Sequence, residues 1–89
     1  MTWKIEIVPS AIKELNKLDR QVAKRLFKFL HKRVGSLKDP RSIGDALKGS
    51  KFGEYWRYRV GDYRIITKIE DNILLILVLR IGHRRQIYD

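Results

Sequence analysis

Trp3, Ile5 and Ile7 alternate with Lys4 and Glu6, a period-two pattern that predicts a short strand, stopped by Pro9-Ser10. The spacing then becomes helical. Ser10 is the expected N-cap of a helix that carries Ile12, Leu15 and Leu18 on one stripe. Asp19 is placed to cap a second, longer helix, in which Val22, Leu26 and Phe29 form one apolar stripe and Ala23, Phe27, Leu30 and Val34 its neighbour. Both stripes read as core, and Lys24, Arg25, Lys28, Lys32 and Arg33 read as a solvated face. Gly35 is a natural residue to follow that helix. Residues 37–51, with Pro40, Gly44 and Gly49, read as a loop ending in the turn Leu47-Lys48-Gly49.

From there strand patterns run to the end, broken at Gly61-Asp62 and Asp71-Asn72, two candidate two-residue turns. The run from Ile73 to Leu79 is apolar at every position, as expected of a strand with neighbours on both edges and cover on its faces. The order β-α-α-β-β-β predicts one α+β domain over residues 1–89: an N-terminal strand and helical hairpin packed on a small, mainly antiparallel sheet.

Register separates the two faces of the central hairpin. A two-residue turn at Gly61-Asp62 sets Val60 opposite Tyr63 and Arg59 opposite Arg64. One face then carries Trp56, Tyr58, Val60, Tyr63, Ile65, Thr67 and Ile69, and is expected to take the helices. The other carries Tyr55, Arg57, Arg59, Arg64, Ile66 and Lys68. Opposed like charges destabilise a strand pair, so folding alone does not account for that row, whereas a polyanionic ligand does. The tail Gly82-His83-Arg84-Arg85-Gln86-Ile87-Tyr88 is expected to bend at Gly82 and bring His83, both arginines and Tyr88 toward the same face. Histidine is the side-chain type that exchanges protons near neutral pH.

Composition narrows the partner. Twenty Lys/Arg against ten Asp/Glu leave a net charge of +10, and 44% of residues are hydrophobic, so the chain folds and presents a basic surface. Residues 1–50 contribute +7 (twelve cations, five anions) and residues 51–89 contribute +3 (eight and five), so the charge belongs to the folded body rather than to a tail. Nucleic acid is the first expected partner. The absence of cysteine removes disulfides and thiolate chemistry, and His31 and His83 lack a carboxylate ligand pattern, so neither a metal nor another cofactor is expected. TWKIEIV after Met1 is not a signal peptide and no window is long and apolar enough to span a bilayer, which points to a cytoplasmic protein with no membrane role.

Taken together, the helical hairpin, LKG at 47–49, WRYRVGDYRII at 56–66, the apolar strand and IGHRRQIY at 81–88 resemble the RelE/ParE superfamily of toxins from type II toxin–antitoxin systems. The resemblance covers nearly the whole chain and implies a RelE-like fold. For RelE-like members it implies an mRNA interferase: a ribosome-dependent, metal-independent endoribonuclease that uses the RNA 2′-OH as nucleophile. By this resemblance Arg64 lies at the scissile phosphate, Arg84 follows the glycine turn, and Tyr88 stacks on the substrate nucleotide. Arg57 replaces one strand lysine of RelE, and a second such lysine falls near Tyr55. His83 resembles the near-terminal acid/base histidine of YoeB-like members, and Asp45 the acidic residue of those same members. Lys48, Lys51, Arg57, Arg59 and Arg85 are expected to bind mRNA or ribosomal RNA. The resemblance further implies inhibition by a cognate antitoxin whose acidic segment covers the basic face, with operator DNA bound only through that antitoxin. Two alternatives share these features: a ParE-like toxin acting on DNA gyrase, and a non-catalytic RNA- or DNA-binding module.

Overall fold

The computed structural model describes residues 2–47 and 55–87. Five strands form one mixed sheet: β1 (Lys4–Ile7), β2 (Asp45–Ala46), β3 (Tyr55–Val60), β4 (Tyr63–Glu70) and β5 (Leu75–His83), in the spatial order β1-β5-β4-β3-β2. Among the described residues three α-helices accompany them: α1 (Pro9–Asn16), α2 (Arg20–Lys28), which continues as a π-helical stretch Phe29–Val34, and α3 (Arg84–Ile87). The α+β architecture and the helical hairpin are as the sequence pattern predicts.

The β3–β4 register is also as expected, from Val60 opposite Tyr63 to Tyr55 opposite Lys68. Gly61 takes the left-handed conformation (φ +59°) that closes a two-residue hairpin turn. Tyr58, Val60, Ile65, Thr67 and Ile69 are buried on the face toward the helices. They meet Ala11, Leu15, Leu26, Leu30 and Val34, and Trp3 joins the same core. β5 lies between β4, its antiparallel partner, and β1, its parallel partner, which accounts for the unbroken apolar run.

Several expectations are corrected. α1 starts at Pro9 after Val8, and no side chain caps it, so Ser10 lies inside the first turn. Its buried positions are Ala11 and Leu15, leaving Ile12 43% exposed. Asp19 does cap α2, accepting the Gln21 amide at 3.1 Å. Phe27 is 48% exposed and stacks on His31 with ring centroids 4.1 Å apart, so it is not part of the core stripe. Asp71-Asn72 is not a two-residue turn: Asp71–Ile73 form a 3-10 turn and Leu74 follows at φ +49°. Within the stretch read as a loop, Asp45–Ala46 add an edge strand to β3, while the LKG turn extends outside the described residues.

The C-terminal segment differs most. Gly82 is not a bend: it lies within β5, and the chain turns one residue later into α3. A Cβ at Gly82 would stand 3.3 Å from Ile87 Cδ1, so the glycine gives room for α3 to fold back onto the strand. The β4–β5 register also skips Leu79, with Ile66 opposite Arg80 but Thr67 opposite Val78. This bulge exchanges the faces of β5, so Ile76, Val78 and Ile81 are all buried despite the odd spacing. Beyond Val78 the outer edge of β5 lacks β1, and Glu14 replaces it by accepting the Ile81 amide (3.1 Å) and Arg80 Nη2 (2.9 Å). Among the described residues no helix is long and apolar enough to cross a membrane.

Candidate functional site

The row of cations on the open face of β3 and β4 is less uniform than the sequence suggests. Edge strand β2 sets Asp45 directly opposite Arg57, on the same face as Arg59. The Asp45 carboxylate bridges the two, 3.1 Å from Arg57 Nη2 and 3.1 Å from Arg59 Nη2. Lys68 pairs with Glu70 at 3.3 Å. Arg59 and Arg64, though opposed, avoid each other: Arg59 turns to Asp45, while Arg64 donates from Nη1 to the carbonyls of Gly61 (2.8 Å) and Tyr63 (2.9 Å).

Arg64 is only 9% exposed, yet both of those bonds use one terminal nitrogen. Its Nε and Nη2 have no partner among the described residues, and no side-chain nitrogen there is buried without one, so these groups reach solvent. A guanidinium locked on one edge with free donors on the other is preorganised to hold an anion bidentately.

The end of the sheet beside this turn gathers the tail residues. Arg64 faces Gly82 across the β4–β5 ladder, and Tyr63 faces His83. The two rings meet edge to face at 5.6 Å. One step further the Arg84 amide donates to the Asp62 carbonyl (2.8 Å), and Arg84 Nε lies 3.9 Å from the Asp62 carboxylate. The Arg85 amide donates to His83 Nδ1 at 3.2 Å, which places the ring hydrogen of neutral His83 on Nε2. Because strand residues alternate, His83 shares the side of Tyr63 and Ile81, and Arg64 shares the other with Gly82. Arg64, His83 and Arg84 thus come to one end of the sheet, around its edge rather than on one flat face. Arg85 is exposed beside them; Arg57 and Arg59 lie back along β3, and Lys48, Lys51 and Tyr88 fall outside the described residues.

The arginine pair decides what Asp45 can do. Its hydrogen bond from Arg57 first, then the charges of Arg57 and Arg59, hold the carboxyl below the ordinary aspartate range. It is therefore ionised at neutral pH and not a proton donor; its work is to orient two arginines. Because the folded-state pKa is depressed, whatever stability the pair contributes is present above the unfolded pKa and is lost as the pH falls through the folded value. A carbon-detected NMR titration of the Asp45 carboxyl is expected to give a midpoint below about 3.9, the unperturbed aspartate value. Arg57→Gln is expected to raise it, and a midpoint at or above the unperturbed value would contradict the bridged geometry.

No cluster of three or more His, Cys, Asp or Glu side chains among the described residues is arranged to hold a metal ion. Sequence reasoning missed Asp62, the anchor of Arg84, and Glu14, which fixes the β5 edge. Only the pairing of distant segments makes either role visible.

The chain matches, over residues 5–88, the family model described as the ParE toxin of the type II toxin–antitoxin system parDE. It is 27% identical to toxin RelG of Mycobacterium tuberculosis, over 99% of this chain and 98% of that protein. The toxin–antitoxin complex RelBE2 of Mycobacterium tuberculosis contains a chain that superposes with a TM-score of 0.85 at 21% identity, covering 94% of this chain and 93% of that one. A chain of the RelB–RelE antitoxin–toxin complex of Methanococcus jannaschii matches with a TM-score of 0.68 at 25% identity, over 94% and 95% of the two chains.

Proposed function

The chain belongs to the ParE toxin family of type II toxin–antitoxin systems, and from that premise we propose that it is an mRNA endonuclease acting in the ribosome. The observation that carries this reading is Arg64: a guanidinium fixed at the β3–β4 turn with donors left for a phosphate, beside His83 and Arg84. A toxin that worked only by binding has no evident need for that convergence.

In the proposed reaction the 2′-oxygen of one nucleotide forms a bond to the adjacent phosphorus and the bond to the 5′-oxygen breaks. The products are a 2′,3′-cyclic phosphate and a 5′-hydroxyl. Arg64 and Arg84 take the charge that builds on the phosphoryl oxygens. The proton of the 2′-OH must leave, and one must reach the 5′-oxygen. His83 is assigned to the leaving-oxygen side, where the proton it gives from Nε2 comes from the imidazolium form; Tyr88, which also stacks on the nucleotide, is assigned to the other, where it accepts as the phenolate. Asp45 drops out as an acid because its arginines keep it ionised. Lys48, Lys51, Arg57, Arg59 and Arg85 bind the RNA backbone.

The RelBE2 complex and the Methanococcus jannaschii complex each pair a toxin with an antitoxin. By that analogy a cognate antitoxin covers the basic face of this chain with an acidic segment and carries the pair to operator DNA. The toxin then acts in the cytoplasm, where its ribosomal target lies. Primer extension on mRNA in a translating extract is expected to show new 5′ ends when the protein is added, and none without ribosomes. Intact mRNA together with loss of gyrase supercoiling would replace this reading with the ParE-like one. Intact mRNA with gyrase unaffected would leave a binding module.

A further inference from the structure

From Arg20 through Lys38 the chain has seven cations and no Asp or Glu. None of these cations takes part in an ion pair among the described residues. Lys24 and Lys28 are exposed on α2, and Phe27 and His31 lie on the same stripe at the i, i+3, i+4, i+7 spacing of neighbours on a helix surface. Their rings are stacked at an interplanar angle of 21°, and His31 Nδ1 is held by the Phe27 carbonyl at 3.1 Å. The π-helical stretch that contains His31 begins just after Lys28; such widenings recur at functional sites. An apolar ring half open to water contributes less to folding than the same ring in the core.

The face is continuous with the turn that fixes Arg64. The Arg25 guanidinium lies over Gly61, where an added methyl group would stand 3.6 Å from its Nη2, and the Gly61 carbonyl is itself bound by Arg64. On α2, Gln21, Lys24, Arg25 and Lys28 line a shallow groove leading away from that point.

We infer that the α2 face is a second RNA-binding surface, on which the backbone of a single strand runs along Lys24, Arg25 and Lys28 while a base stacks on the Phe27–His31 pair. Cations interleaved with an exposed aromatic platform are what a single strand requires, because its bases are free to stack. A duplex keeps its bases inside and offers such a platform nothing. An acidic protein helix would seek an apolar centre ringed by charge, and this stripe has its one large apolar residue among lysines. The inference takes from the preceding reading only that RNA is the ligand; it needs neither the ribosome nor cleavage.

The test is fluorescence anisotropy of a labelled, 2′-O-methylated adenylate oligonucleotide with the purified toxin, in the wild-type and Arg64→Ala backgrounds. In both, Phe27→Ala is expected to weaken binding on the order of tenfold with the salt dependence unchanged, and Phe27→Trp to retain it. Lys24→Gln/Lys28→Gln is expected to flatten the slope of log affinity against log salt by about 1.4, the value for two phosphate contacts on a single strand. Wild-type affinity and slope in all of these variants would overturn the inference. So would an RNA duplex bound with the same dependence on Phe27, or a polyglutamate peptide whose binding, unlike that of the oligonucleotide, is lost in the same variants. Loss of oligonucleotide binding in the variants while the extract shows no mRNA cleavage would sustain this surface and reject only the nuclease reading.

Discussion

Replacing Arg64 with alanine is expected to lower mRNA cleavage in a translating extract by roughly a hundredfold or more, the scale on which a single fixed donor to a transition-state oxyanion acts. The size follows from how the side chain is held. Hydrogen bonds to the Gly61 and Tyr63 carbonyls fix the guanidinium before any substrate arrives. No reorganisation is then spent when charge builds on the phosphoryl oxygens. Lysine cannot reproduce that arrangement: an ammonium turned to the two carbonyls has no rigid second edge to present. Arg64→Lys is therefore expected to recover little.

Arg64 also ties down the hairpin turn, so its loss affects folding as well. Removing a charged donor from two carbonyls costs on the order of 1–3 kcal/mol, and the rate comparison must be made well below the melting midpoint of the variant. A fall in rate that disappears once the folded fraction is matched would reduce Arg64 to a structural residue and remove the main support for the nuclease reading.

The parts of this molecule legible in its sequence are those in which one local rule fixes many contacts. A Gly-Asp turn sets the whole register of β3 and β4, and so the faces of Tyr58, Val60, Ile65, Arg59 and Arg64. What the sequence hid depends on segments that find each other through space. Two residues make too short a strand to carry a periodic pattern, so β2 is not legible there, and with it the pairing of Asp45 with Arg57 and Arg59. The bulge at Leu79 leaves no trace in an all-apolar run, yet it decides that Ile81 and His83 share the side of Val78. Phe27 matched a core stripe by spacing alone, and although Leu30 and Val34 of that stripe are buried, spacing does not show where along it the cover of the sheet ends.

Gly44 is where this hidden part of the site depends on one atom. The residue sits at φ +84°, and a Cβ there would collide with the Arg57 carbonyl oxygen and stand 2.8 Å from Trp56 Nε1. That indole donates to the Ile43 carbonyl at 2.8 Å, so the collision falls on the bond that docks the preceding residue. Gly61 is the internal comparison: it too has a positive φ, but the nearest atoms to an added Cβ belong to the flexible Arg25 side chain, at 3.6 and 3.7 Å. Alanine at Gly61 incurs the left-handed backbone cost alone, about 1–2 kcal/mol. Alanine at Gly44 adds an overpacking cost against backbone, and the sum is expected to reach roughly 3–4 kcal/mol. In a domain of this size that lowers the melting midpoint by roughly 15–25 °C. The loss is not confined to stability, because displacing Gly44 displaces Asp45. In whatever fraction of Gly44→Ala remains folded, the Asp45 carboxyl is expected to titrate closer to an ordinary aspartate. Equal destabilisation by the two alanines, with Asp45 still titrating low in both, would mean that β2 is not held against β3 by the close approach at Gly44.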